Sequence, residues 1–236
     1  MIISIASGKG GTGKTTVATN LAVSLGSDVQ ILDCDVEEPN SHLFIQPTIE
    51  EVETITTPVP EVDMEKCNLC GKCGELGVIE RGHRNGIEFV HGKLRVGEAM
   101  SPPLIKKVRE YTKPDILTII DAPPGTSCPV IASMRGADFV LLVTEPTPFG
   151  LHDLKLAVGA VKILEIPCGL VINRSDMGDD QVKKYAKEED VPVLMEIPFD
   201  RRIAEVYSRG EMIVEVMPEW KERFLELYHS IEKIAV

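Results

Sequence analysis

Ser7-Gly8-Lys9-Gly10-Gly11-Thr12-Gly13-Lys14-Thr15-Thr16 is the stretch whose reading decides the fold. From Gly8 to Thr15 it fits G-x-x-x-x-G-K-[ST], the phosphate-binding P-loop pattern. It follows the apolar run Ile2-Ile3-Ser4-Ile5-Ala6, which predicts a buried strand, and it opens a helical pattern from Thr15 to Leu25. Strand, glycine loop and helix in that order give the pattern its chemistry. Glycines let successive backbone N–H groups curl around phosphate oxygens, and a helix N-terminus adds unpaired N–H groups and partial positive charge. The Lys14 ammonium can reach the β- and γ-phosphates, and the Thr15 hydroxyl can ligate Mg²⁺. Gly8 to Thr16, every residue of it, is therefore the expected nucleotide-binding set: Gly8, Lys9, Gly10, Gly11, Thr12, Gly13, Lys14, Thr15 and Thr16.

Two further apolar runs end in acids. Val29-Gln30-Ile31-Leu32 leads into Asp33-Cys34-Asp35, and Ile116-Leu117-Thr118-Ile119-Ile120 leads into Asp121-Ala122-Pro123-Pro124-Gly125-Thr126. Open α/β sheets bind ligands at the carboxyl ends of their strands. Carboxylates placed there can orient water or hold the shell of Mg²⁺. Later segments keep alternating, with strands expected at 139–143, 170–172 and 191–197 and helices at 102–111, 151–164, 179–189, 201–208 and 219–235. This rhythm predicts an α/β fold with a mostly parallel twisted sheet flanked by helices on both faces. The whole chain, 1–236, reads as a single nucleotide-binding domain.

The 236 residues suffice for one large α/β domain, and an apolar content of 43% with 26% charged residues is ordinary for a globular chain. The net charge of −12 argues against a polyanion as main partner, because nucleic-acid binding rests on phosphate neutralisation by Lys and Arg. The apolar start is short and leads straight into the glycine loop, and no run has the length of a membrane span, so a cytoplasmic protein is expected. Six cysteines in that setting suggest thiols or metal ligands rather than disulfides.

Lys9 is a second lysine inside the loop. With it, the stretch resembles the deviant Walker A motif, K-G-G-x-G-K-[ST], of the MinD/ParA/Mrp ATPase family and of the nitrogenase iron protein. The D-x-D at Asp33–Asp35 is similar to that family's switch I, and D-A-P-P-G-T at 121–126 to its switch II. The resemblance covers residues 1 to about 44 and about 95 to 210. It implies a catalytic set of Lys9, Lys14, Asp35 and Asp121. Lys9 would reach across a homodimer to the partner's nucleotide. Asp35 would orient the attacking water, Asp121 would hold a water of the Mg²⁺ shell, and the Gly125 N–H would sense the γ-phosphate. It also implies that Asn173 reads adenine and that Ile197-Pro198-Phe199-Asp200 flanks the base, adding Gly125, Asn173, Pro198 and Asp200 to the nucleotide contacts.

Between about 46 and 97 the pattern changes. Pro47, Pro58 and Pro60 interrupt it, and Cys67-x₂-Cys70-x₂-Cys73 opens like a bacterial ferredoxin run. A branch of the family carries a ferredoxin-like insertion here. In this chain the fourth position is Gly77 and the following proline is Val78, so the insertion is read as degenerate. Cys67, Cys70 and Cys73 could hold an iron–sulfur cluster with one site open, bind Zn²⁺ with His83 or His91 as fourth ligand, or remain free thiols. The region is expected to have a small fold of its own or a metal. Cys128 follows Asp121 by seven residues, as a cluster ligand does in the nitrogenase iron protein, but is expected to stay a thiol without metal. Cys168 suits a core.

The leading expectation is an ATP- and Mg²⁺-dependent switch that dimerises, hydrolyses slowly and serves a client protein, with a metalloprotein as the candidate client. The alternatives are a metal carrier or scaffold with structural nucleotide, and a MinD/ParA-like positioning ATPase. The last helix bears an apolar stripe, Trp220, Phe224, Leu227, Tyr228, Ile231 and Ile234, with mixed charges opposite. This pattern fits core packing better than a membrane surface, which favours basic helices. Neither nucleic acid nor membrane is expected as a partner.

Overall fold

The computed structural model describes residues 1–58, 65–66 and 74–235. The predicted first strand, β1 (Ile2–Ala6), is buried along almost its whole length, and α1 (Lys14–Leu25) follows the glycine loop. The chain continues through β2 (Val29–Asp33), α2 (Ser41–Ile45), β3 (Thr48–Thr56), β4 (Glu75–Arg84), β5 (Ile87–Leu94) and α3 (Pro102–Arg109). Then come β6 (Leu117–Asp121), α4 (Cys128–Met134), β7 (Phe139–Thr144), α5 (Pro148–Ile163), β8 (Cys168–Asn173) and α6 (Gln181–Glu188). Last are β9 (Val193–Ile197), α7 (Arg201–Ser208), α8 (Ile213–Val216) and α9 (Glu219–Ile234).

Among the described residues these strands form one nine-stranded sheet in the order β3-β4-β5-β2-β6-β1-β7-β8-β9. From β5 to β9 every pairing is parallel. The central strands are continuous apolar runs because helices cover both faces. On one face α1 and α9 pack with Leu21, Trp220, Phe224, Leu227 and Ile231 buried. On the other, α3, α4, α5 and α6 cover the sheet through Leu104, Val130, Leu154 and Val182. Each such side chain contributes roughly 1.5–3 kcal/mol by leaving water. The apolar stripe of α9 is thus spent on the core.

The region from 46 to 97 departs from expectation. Its described residues are strands of the main sheet rather than a separate small fold. β5 pairs in parallel with β2, and β4 and β3 follow antiparallel at the edge. The hairpin turn is Asn85-Gly86, with φ of 50° and 84°, the left-handed pair that a two-residue turn needs. β3 is an acidic, mostly exposed edge strand, and such charge blunts edge-to-edge association. At the far end of the hairpin the Thr57 N–H donates to the Gly74 carbonyl at 2.6 Å. Cys67, Cys70 and Cys73 lie outside the described residues.

Candidate nucleotide site

The parallel register brings the strand ends into one row. Asp33 faces Asp121 as a register partner, and Asp121 faces Ile5 of β1. The loop after β1 turns into α1 through Gly13, whose φ of 99° suits glycine and whose Cβ, if present, would sit 2.7 Å from the Asn173 amide nitrogen. At Gly8 the constraint is a close approach, since a Cβ would meet the Asp153 carbonyl oxygen at 2.3 Å. These two glycines are fixed by packing as well as by the need for bare N–H groups. The loop, the acids that follow β2 and the segment after β9 enclose a cleft of about 390 Å³. Gly10, Gly11, Gly13, Lys14, Thr15, Thr16, Asp35, Asn173, Pro198 and Asp200 line it, so most of the expected contacts are brought together. Gly8, Lys9, Thr12 and Gly125 are not among its lining residues, nor is Asp121 of the expected catalytic set.

Its phosphate end carries the charges. The Lys14 side chain is buried. The Thr15 hydroxyl donates to Asp121 Oδ2 at 2.7 Å, and the Ser41 hydroxyl donates to the same oxygen at 3.0 Å. Asp121 Oδ1 is buried and has no hydrogen-bond partner. An orphaned carboxylate oxygen beside a threonine hydroxyl, with Asp35 lining the same cleft, is a hard oxygen set that fits Mg²⁺. Burial pushes the Asp121 carboxyl up, opposed by bonds from Thr15 and Ser41 and by Lys14. Asp33 is raised by burial and by Asp121. Asp35 is pushed up to about 6, chiefly by burial and then by Asp121, with Lys14 pulling the other way.

The opposite end is apolar, formed by Ile197, Pro198, Ile203, Ala204, Tyr207 and Ile213, and suits a base. Asn173 lies between the two ends. Its amide donates to the Thr12 carbonyl at 2.9 Å and its oxygen accepts from the Arg174 N–H at 2.9 Å. It tethers the P-loop and keeps one N–H for a ligand. Asp200 caps α7 through the Arg202 N–H and pairs with the Arg202 side chain, so its carboxylate is engaged within the chain.

Lys9 points elsewhere. Its ammonium lies 3.3 Å from Glu145 Oε2, and Arg174 Nη1 lies 2.9 Å from Glu145 Oε1. Glu145 follows the last residue of β7 and is only 7% exposed. Glu145, Arg174 and Ser41 belong to none of the sequence motifs of the site. Glu145 stands at a strand's carboxyl end, the same signal that identified Asp35 and Asp121.

The expected fourth metal ligands have partners of their own. His83 Nδ1 is 3.3 Å from Glu50 on the outer hairpin, and His91, fully buried, holds Glu80 at 2.7 Å. Among the described residues no group of three or more His, Cys, Asp or Glu is arranged to hold a metal ion. Cys34 is buried, Cys168 partly buried and Cys128 exposed. No helix among the described residues is long and apolar enough to cross a membrane.

Residues 3–214 match the family described as the CobQ/CobB/MinD/ParA nucleotide binding domain. An uncharacterized protein of Methanocaldococcus jannaschii is 31% identical over 277 residues, covering 100% of this chain and 96% of its own. The iron–sulfur cluster carrier protein of Aquifex aeolicus is 30% identical, covering 99% of this chain and 66% of its own. Among solved structures, the septum site-determining protein MinD of Pyrococcus horikoshii, complexed with Mg-ADP, superimposes with a TM-score of 0.69. It is 26% identical and covers 98% of this chain and 96% of its own.

Proposed function

The chain belongs to the CobQ/CobB/MinD/ParA nucleotide-binding family, and on that premise we propose that it is a slow ATPase switch that pairs with a second copy around MgATP. The observation that carries this reading is the phosphate end of the cleft, which Lys14, Thr15 and Asp35 line, with the buried Asp121 bonded to the Thr15 hydroxyl. Hydrolysis requires a water oxygen to attack the γ-phosphorus while the bond to ADP breaks, releasing inorganic phosphate. The chain's part is positioning and charge neutralisation. Lys14 meets the β- and γ-phosphates, and Mg²⁺, when bound by Thr15 and through Asp121, neutralises phosphate charge. Asp35 as a carboxylate accepts a hydrogen bond from the attacking water and so aims its lone pair.

Lys9 lies on the Glu145 side of its own loop rather than in its own cleft. Its role in this reading is in trans, so that dimerisation completes each site. The switch loops after β2 and β6 respond to the γ-phosphate, and the change is passed to a client. The family's iron–sulfur carrier relative and the Cys67-Cys70-Cys73 run support a client that receives a metal cofactor.

Phosphate release by wild type against Lys14→Ala tests the enzyme reading. A Lys14-dependent rate is expected, and equal near-zero rates would leave a metal carrier with structural nucleotide. A positioning ATPase is the second reading, favoured by the likeness to MinD. ATP-dependent co-sedimentation with anionic liposomes decides for it, and its absence decides against.

A further inference from the structure

The loop after β2 is a ring closed by one buried carboxylate. Asp33 Oδ1 accepts the Asp35 N–H at 3.0 Å, and Oδ2 accepts the Asn40 and Ser41 N–H groups at 3.1 and 3.0 Å. Asp33 and Ser41 are both fully buried. Both ends of the loop are therefore fixed to the end of β2. At one end this aims Asp35 into the cleft. At the other it sets the Ser41 hydroxyl against Asp121 Oδ2, the oxygen that also takes the Thr15 hydroxyl. Asp121 hangs between the P-loop helix and this loop, with its other oxygen free of partners.

A serine at a helix start is usually there to cap it. Here Asn40 is the N-cap, and no side-chain cap bond forms. The Ser41 hydroxyl is instead committed to Asp121, a carboxylate at the end of β6, the strand next to β2 in the sheet. A hydroxyl buried in this way makes a charge-assisted bond, stronger than a neutral one.

We infer that Ser41 is a positioning residue that fixes the Asp121 carboxylate for the Mg²⁺ shell and ties that carboxylate to the loop bearing Asp35. Asp33 holds Ser41 in place through its backbone. The meaning for turnover rests on the ATPase reading, whereas the link to Mg²⁺ does not. Ser41 acts on bound cation through Asp121, so its removal changes the benefit that Mg²⁺ gives to nucleotide binding more than nucleotide binding itself. A hydrogen bond to a charged group corresponds to roughly 10- to 100-fold in an equilibrium constant.

The experiment is titration of a fluorescent ADP analogue onto wild type and Ser41→Ala, in Mg²⁺ and in EDTA. The variant is expected to match wild type in EDTA within about 2-fold and to lose on the order of 10-fold of the Mg²⁺-dependent gain. Turnover is expected to fall in kcat with KM nearly unchanged. Amide exchange on the wild type provides a second readout that needs no substitution. The Asn40 and Ser41 N–H groups are expected to exchange more slowly with MgADP than with ADP in EDTA. A wild-type Mg²⁺ gain in Ser41→Ala, equal losses in both buffers, or unchanged exchange at these two amides overturns the inference. If Ser41 governs the Mg²⁺ gain while the wild type releases no phosphate, the inference stands and the ATPase reading falls.

Discussion

Asp35→Asn is expected to stabilise the nucleotide-free protein while abolishing turnover. Burial in the folded chain lifts the Asp35 carboxyl from 3.8 to about 6. The folded state therefore binds this proton more tightly than the unfolded one. The cost of ionising the group is absent below pH 3.8, grows between 3.8 and about 6, and is complete above 6. A difference of about 2 units at 1.36 kcal/mol each gives roughly 3 kcal/mol at pH 8. Asparagine carries no charge to desolvate and keeps an acceptor oxygen, so the variant recovers up to that amount. Losing the attraction to Lys14 reduces it. In a domain of this size about 1 kcal/mol moves the melting midpoint by roughly 2–4 °C, so a rise of up to roughly 6–12 °C is expected at pH 8. The gain shrinks toward zero near pH 4. Calorimetric melting at the two pH values, with phosphate release measured beside it, is the assay. In the wild type, Lys14 and Mg²⁺ favour the carboxylate, so the acid limb of the rate lies at or below about pH 6. A stabilisation that is equal at both pH values, or a destabilisation at pH 8, refutes the desolvation argument.

Lys9→Ala is expected to bind ADP like wild type but to lose ATP-dependent dimerisation and turnover, as read by light scattering and phosphate release. Wild-type turnover in that variant would make the lysine an ordinary loop charge balanced by Glu145. Protein purified without oxygen is expected to carry a metal that a variant with serine at 67, 70 and 73 loses. Elemental analysis and the absorption spectrum decide its kind, since zinc in a colourless sample rejects a cluster and iron with sulfide rejects zinc.

The phosphate end was legible because its chemistry is local in sequence. A P-loop is one continuous motif, and Asp35 and Asp121 sit at the ends of apolar runs that have to be central strands. The contacts that tune it were not legible, because they join distant positions. Ser41 meets Asp121 and Glu145 meets Lys9 only once parallel strands align their ends. The hairpin was missed for a different reason. Thr48-Ile49-Glu50-Glu51-Val52-Glu53 is strand-forming in its β-branched residues but too acidic to read as one, as an exposed edge permits. The Asn85-Gly86 turn between two alternating runs was the available signal, and it outweighs the prolines that suggested a separate insertion. Short helices such as α2 and α8 offer too few turns for an apolar period to emerge.

The Thr57–Gly74 closure has a consequence for inheritance. The hairpin's register is set by pairs along β3, β4 and β5, and among the described residues this backbone bond closes its mouth. The pairs that set the register lie outside the span from 58 to 73, and lengthening a flexible span costs only about 0.6 kcal/mol for each doubling. A lineage can exchange the cysteine-bearing segment, shorten it or let it drift while the nucleotide machinery stays as it is. In the sequence, the three cysteines fall between the two residues, Thr57 and Gly74, whose bond closes that mouth.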